Sequence, residues 1–149
     1  HYGRFLFAIR NDDKGCKFIK RSAEDVDYTA RVLAYENLAL CYDHFKQQRL
    51  AMDAYEKAWS LDTSSTISSL NLARIYLQRN RADIAQRWFS RFETTLRERQ
   101  LPHNAASLYT GAMLAKASRD KNAQASFAFK LKKRFPRSDE YKRYRASQN

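Results

Sequence analysis

Residues 38–55 read LALCYDHFKQQRLAMDAY, and residues 72–89 read LARIYLQRNRADIAQRWF. When the two stretches are aligned from Leu38 and from Leu72, their apolar positions agree in size and chemistry. The agreeing positions are Leu38, Ala39, Tyr42, Ala51 and Tyr55, which return as Leu72, Ala73, Tyr76, Ala85 and Phe89. The chain therefore contains an internal repeat.

The distance from Leu38 to Leu72 matches the period of about 34 residues that is typical of tetratricopeptide (TPR) units. Each such unit is a pair of helices with small and large apolar residues at fixed places. The sequence predicts an all-α fold, a TPR superhelix of antiparallel helix pairs with a C-terminal capping helix. We expect a single domain over 1–149, built from a partial repeat at 1–28, repeats at about 32–65, 66–99 and 104–137, and a capping helix at 138–149.

Composition agrees with an ordered helical chain. Of the 149 residues, 44% are hydrophobic and 30% are charged, whereas 3 glycines and 2 prolines are too few for the turns of a sandwich or barrel. The sequence has no run of 18 apolar residues, so it predicts no membrane span. Its first residues already resemble the middle of a helix, and we therefore expect a longer protein, with any export signal or lipid-attachment cysteine upstream.

The chain is strongly basic, because 28 Lys and Arg face 16 Asp and Glu and give a net charge of +12. Such a charge attracts phosphate, anionic lipid or an acidic protein surface, but it is also found on solvated faces. The cations crowd near the C-terminus. There we weigh contact with an anionic surface against a solubilising cap for Lys132, Lys133, Arg134 and Arg137.

The sequence does not predict an enzyme. His1, His44 and His103 lie far apart and have no carboxylate or nucleophile at a motif spacing, and no phosphate-binding glycine loop or metal spacing occurs. We therefore expect no cofactor and no metal. A nucleic-acid partner is not expected either, because no recognised binding motif or regular polar code accompanies the charge.

The first helix of every TPR unit is expected to line a concave inner face. Most residues predicted to point into this groove are apolar, which favours a site for an amphipathic or extended partner segment. The alternative is that strong curvature buries these side chains against one another. The predicted groove residues are Phe7, Leu33, Glu36, Leu40, Asp43, His44, Ile67, Leu70, Arg74, Leu77, Leu108 and Ala112.

Two cysteines, Cys16 and Cys41, fall where the helices of a unit carry small or apolar buried residues. One interpretation is that both are buried thiols that behave as small hydrophobes. The other is a disulfide between neighbouring repeats, which needs an oxidising compartment and Cα atoms within about 7 Å. The sequence leaves both open.

Three stretches resemble one family of bacterial proteins. Residues 131–141, LKKRFPRSDEY, are similar to the closing signature of the type IV pilus biogenesis and stability lipoproteins, the pilotins called PilF or PilW. Residues 34–41, AYENLALC, resemble that family's second repeat, and residues 2–6, YGRFL, resemble a stretch of the preceding one. The order and spacing of all three agree, so the resemblance covers essentially the whole chain.

The resemblance implies a lipid-anchored adaptor on the periplasmic face of the outer membrane, and we expect the protein to be a monomer. Its expected partner is the type IV pilus secretin, which a pilotin helps to reach that membrane and to assemble into a ring. The alternative from the repeats alone is a cytoplasmic scaffold or co-chaperone that clamps an acidic peptide tail with Lys and Arg.

Overall fold

The computed structural model describes residues 28–149 and, before them, Cys16, Lys17, Lys20, Arg21 and Glu24. Nearly all of the predicted partial repeat at 1–28, including Phe7, lies outside these residues. From residue 28 onward the regular structure is all α-helical, as predicted. The helices are α1 (Tyr28–His44), α2 (Gln48–Leu61), α3 (Thr66–Gln78), α4 (Ala82–Arg99), α5 (Ala105–Ala117), α6 (Lys121–Arg134) and α7 (Asp139–Ser147).

Packing divides the chain into two compact units, one up to Ile75 and one from Tyr76, with the boundary inside α3. The sequence predicts a single domain, but the side chains of a repeat protein contact mainly their nearest neighbours, so packing is local by construction. In the part of the chain that the structure describes, no helix is both long and apolar enough to cross a bilayer.

In the first unit, α1 packs against α2 through the residues of the repeat pattern. Leu38, Ala39, Ala51 and Tyr55 are buried, because the small alanines let the two helices approach and the larger side chains fill the space beside them. A short turn at Lys46, with φ 60°, reverses the chain, and the Gln47 N–H donates to the Tyr42 carbonyl at 2.9 Å.

The same turn recurs in the second unit. Asn80 and Arg119 have φ values of 61° and 59°, and the residue after each donates its N–H to a carbonyl four residues before the turn residue, at 2.9 Å in both cases. Backbone hydrogen bonds of this kind satisfy carbonyls that a helix end leaves unpaired. The repeat is therefore visible in the backbone as well as in the core residues.

The last helix closes the second unit. Ser138 caps α7 by accepting a hydrogen bond from the Tyr141 N–H at 3.1 Å, and Asp139 and Glu140 occupy the first turn, where acids suit the helix dipole. Helix α7 packs against α5 and α6 and contributes Tyr144 to a core that also contains Leu108, Ala112 and Leu131. This agrees with the predicted capping helix.

Candidate partner-binding surface

Two helical stripes in the first unit carry six of the twelve predicted groove residues. Leu33, Glu36 and Leu40 follow one another at spacings of three and four residues on α1, and so lie on one side of that helix. Ile67, Leu70 and Arg74 occupy the equivalent positions of α3, one repeat later. We call these six residues the α1–α3 face.

Hydrogen bonds join the two stripes. The Ser65 hydroxyl, which caps α3 by accepting from the Ser68 N–H, donates to the Glu36 carboxylate on α1. Two turns further along both helices, the Arg74 guanidinium donates to the Asp43 carboxylate in an ion pair. The contacts advance in the same direction on α1 and α3, so the helices lie side by side and parallel.

A residue of a third helix is hydrogen-bonded to the ion pair. The Tyr55 hydroxyl on α2 donates to Asp43 Oδ2 at 2.9 Å. Burial, together with the charge of the Asp43 carboxylate, raises the pKa of Tyr55 above its usual range, so the phenol stays protonated and remains a donor. One carboxylate oxygen of Asp43, Oδ2, thus accepts from both Arg74 and Tyr55, which links α1, α2 and α3 at the C-terminal part of the face.

Exposed aliphatic side chains remain at the other end of the face. Leu33 is 44% exposed and Ile67 is 38% exposed, whereas Leu40 and Leu70 are half-buried beside them. The carboxylates of Glu36 and Asp43 already have partners. The face therefore offers apolar surface, which suits the apolar side chains of a partner helix or extended segment better than a carboxylate.

The remaining predicted groove residues lie elsewhere. His44, at the end of α1, is exposed and makes an edge-to-face contact with Phe45. Leu77 lies in the second unit and is half-buried. The prediction for Leu108 and Ala112 is wrong, because both are 0% exposed in the core that α7 covers, and neither can line an open groove.

The structure joins Cys16 and Cys41 in a disulfide bond, with Cα atoms 5.6 Å apart. Both residues are buried as the two halves of this bond and not as separate thiols, so the structure has the second of the two interpretations. Cys41 is on α1, directly after Leu40 of the α1–α3 face. The bond therefore ties the segment before α1 to the helix that carries half of this face.

The third histidine has a structural role. The His103 ring packs among Phe89, Phe92 and Phe127, with ring centroids 5.8 to 6.2 Å away. Its Nδ1 atom lies 2.9 Å from the Ser107 hydroxyl, which takes part in the capping box at the start of α5. Among residues 28–149 and the five described before them, His, Cys, Asp and Glu side chains nowhere gather in the threes that a metal site needs.

At the C-terminus, the four cations proposed for an anionic surface, Lys132, Lys133, Arg134 and Arg137, are all exposed. Beside them lies an exposed aromatic residue that the repeat pattern does not predict, Phe129, which is 64% exposed on α6. The sequence does contain a signal for this exposure. Phe127 and Phe129 are two residues apart on one helix and cannot both face the same core.

Paired helices with buried alanines, a recurring turn and a capped end define a TPR-type protein with a candidate binding face. A scan against protein-family models found no match. The chain is homologous to the type IV pilus assembly protein PilF of Pseudomonas aeruginosa, with 26% identity over 146 residues, which are 98% of this chain and 56% of that protein.

Two solved structures have a similar fold. The structure of Pseudomonas aeruginosa PilF matches with a TM-score of 0.85 and 26% identity, over 98% of this chain and 64% of that one. PilW, described as a widely conserved type IV pilus biogenesis factor, shares the fold with a TM-score of 0.76 and 21% identity, over 96% of this chain and 64% of that one. The chain thus spans less than two thirds of the relatives that it matches.

Proposed function

We propose that the protein is a non-catalytic TPR adaptor in type IV pilus assembly. In this role it binds the pilus secretin and promotes the localisation and assembly of the secretin in the outer membrane. The observation that carries the proposal is homology to PilF over 98% of the chain.

The α1–α3 face is the proposed contact with the secretin. Leu33 and Ile67 supply exposed apolar surface on neighbouring helices, and the Glu36–Ser65 and Asp43–Arg74 contacts hold those helices together. A preformed face of this kind loses little conformational entropy on binding, which favours a short amphipathic segment as the ligand.

The proposed location is the periplasmic face of the outer membrane, with attachment through a lipid anchor outside residues 1–149. The Cys16–Cys41 disulfide supports an oxidising compartment, because protein disulfides seldom persist in a reducing cytoplasm. It counts against the cytoplasmic scaffold or co-chaperone. That alternative needs cations that bind a carboxylate of the partner. The cation of the α1–α3 face is Arg74, which already pairs with Asp43.

The test is secretin assembly in cells of the source organism that lack the gene. We expect fewer secretin rings in the outer membrane, and recovery when the full-length protein is returned. Titration of purified secretin with the purified protein should show a saturable complex. Normal secretin rings in the deleted cells, together with no complex in the titration, would overturn the proposed function.

A further inference from the structure

The most exposed large apolar side chain among the described residues lies in the most basic part of the chain. Phe129 is 64% exposed, and residues 129–145 contain eight Lys and Arg against Asp139 and Glu140. Phe127, on another side of α6, packs edge-on against Phe89 in the interior of the second unit. Interior packing of that unit therefore accounts for Phe127 but not for the exposed Phe129.

Two cations near Phe129 each lie close to an aromatic ring. The Lys133 ammonium lies 5.9 Å from the centre of the Phe129 ring, and the Arg145 guanidinium lies 5.8 Å from the centre of the Tyr141 ring. Phe129, Lys132, Tyr141 and Arg145 share the wall of a shallow hollow of about 370 Å³ between α6 and α7. Together with Lys133 they make up the surface that we call the Phe129 patch.

We propose that the Phe129 patch binds the surface of an anionic bilayer. The Phe129 ring enters the boundary between headgroups and acyl chains, and the cations rest on the headgroups. Aromatic rings combined with Lys and Arg are the composition that favours this interface, because the rings leave water while the charges stay with anionic lipid. The long Lys and Arg side chains can reach the headgroups while their methylene stems lie along the apolar surface.

An acidic peptide is the rival occupant. It would pair with Lys132, Lys133 and Arg145, but it gives no reason for a phenyl ring that stands outward among them. The proposal does not depend on the secretin contact, because the α1–α3 face belongs to the first unit and the Phe129 patch to the second. The two can therefore fail separately.

The experiment is sedimentation of the purified protein with phosphatidylglycerol-containing vesicles and with pure phosphatidylcholine vesicles. We expect binding to the anionic vesicles only, weaker at about 150 mM than at about 20 mM salt because counterions screen the attraction. Lys132→Glu with Lys133→Glu should lower the partition constant at least about 25-fold, since each lost cation is worth about fivefold. Phe129→Ala should lower it about fivefold.

Two controls separate the patch from net charge and from exposed apolar surface in general. Lys57→Glu with Arg87→Glu changes the net charge equally at two exposed cations outside the patch, and Leu101→Ala removes another exposed apolar side chain. Both should bind anionic vesicles much more strongly than the patch variants. Phe129→Trp should keep binding, and lipids brominated on the acyl chain should quench its fluorescence more than that of wild-type Trp59 and Trp88.

Several outcomes would overturn the proposal. One is negligible binding to both vesicle types. Another is that Lys57→Glu with Arg87→Glu weakens vesicle binding as much as Lys132→Glu with Lys133→Glu does. A third is that Phe129→Ala leaves binding unchanged and Phe129→Trp shows no added quenching. An oligoglutamate peptide that binds through Lys132 and Lys133, with no vesicle binding, would assign the patch to an acidic protein partner instead.

Discussion

Leu70 and Leu108 occupy equivalent places in consecutive repeats, yet their surroundings differ. Leu70 is half-buried on α3, next to the exposed Ile67 of the α1–α3 face. Leu108 is fully buried, because Tyr144 of the capping helix and Leu131 of α6 pack over it. One position of the same motif is therefore partly exposed in the first unit and core in the second.

The comparison shows that the repeat sets which side of a helix is apolar, whereas the neighbouring helix sets whether that side is covered. The second unit carries its own cover in α7. In the first unit the apolar stripe of α1 and α3 stays partly in water, and its polar groups pair with one another. This contrast is the reason for placing the partner contact in the first unit.

The largest expected effect concerns the disulfide of the first unit. Replacing Cys16 and Cys41 together by Ala should lower the free energy of unfolding of that unit by about 3–4 kcal/mol, since the bond closes a loop of about 25 residues in the unfolded chain. Variants that retain only Trp59 or only Trp88 let fluorescence follow each unit separately in denaturant. Only the Trp59 transition should shift.

This prediction has a direct chemical check. Alkylation of the unreduced, denatured protein followed by mass spectrometry should show no free thiol on Cys16 or Cys41. Two alkylated cysteines in protein purified from an oxidising compartment, or equal midpoints for the oxidised and reduced forms, would contradict the account of the first unit.

The next effect tests the comparison between the two leucines. Leu108→Ala should cost about 3 kcal/mol, because it leaves a cavity in a closed core. Leu70→Ala should cost about 1 kcal/mol, because a half-buried side chain already contacts water. Chemical denaturation of the two variants measures both values. Equal costs would mean that the two positions are equally covered and would remove the distinction between the units.

A smaller effect is expected where α5 and α6 touch. A Cβ atom on Gly111 would lie 2.7 to 2.9 Å from three atoms of the Phe127 ring, which itself packs against Phe89 and His103 and would have to shift. Gly111→Ala should therefore destabilise the second unit by about 1 kcal/mol, although alanine favours a helix. A variant as stable as the wild type would show that Phe127 moves freely.

Much of this fold could be predicted from the sequence. Leu38 and Ala39 return one period later as Leu72 and Ala73 because the same helix contact is built twice, and all four are buried. A periodic pattern records such contacts directly. Ser138 likewise signals the start of α7, because a cap acts on its own helix and needs no distant residue.

Less of the candidate site could be predicted, because it depends on which helices meet. The burial of Leu108 is decided by Tyr144, and the pairing of Asp43 is decided by Tyr55 and Arg74, which belong to other helices. A repeat pattern specifies neighbours within a unit but not the residues that an adjoining helix brings over them. The spacing of Phe127 and Phe129 shows that one of them is outside the core, but which one is decided by the neighbouring helices that pack on α6.

If the α1–α3 face binds the partner, charges placed on its exposed end should weaken binding, whereas a charge on an exposed residue elsewhere should not. Leu33→Asp with Ile67→Asp places two charges on the exposed end of the face, whereas Leu50→Asp places one on a residue of α2 that is 46% exposed. We expect all variants to unfold within about 0.5 kcal/mol of the wild type, as surface substitutions usually do. In a titration of the purified secretin, the double variant should bind at least about 10-fold more weakly than the wild type, while Leu50→Asp binds normally. Wild-type affinity in the double variant, or loss of its cooperative unfolding transition, would contradict the assignment of this face.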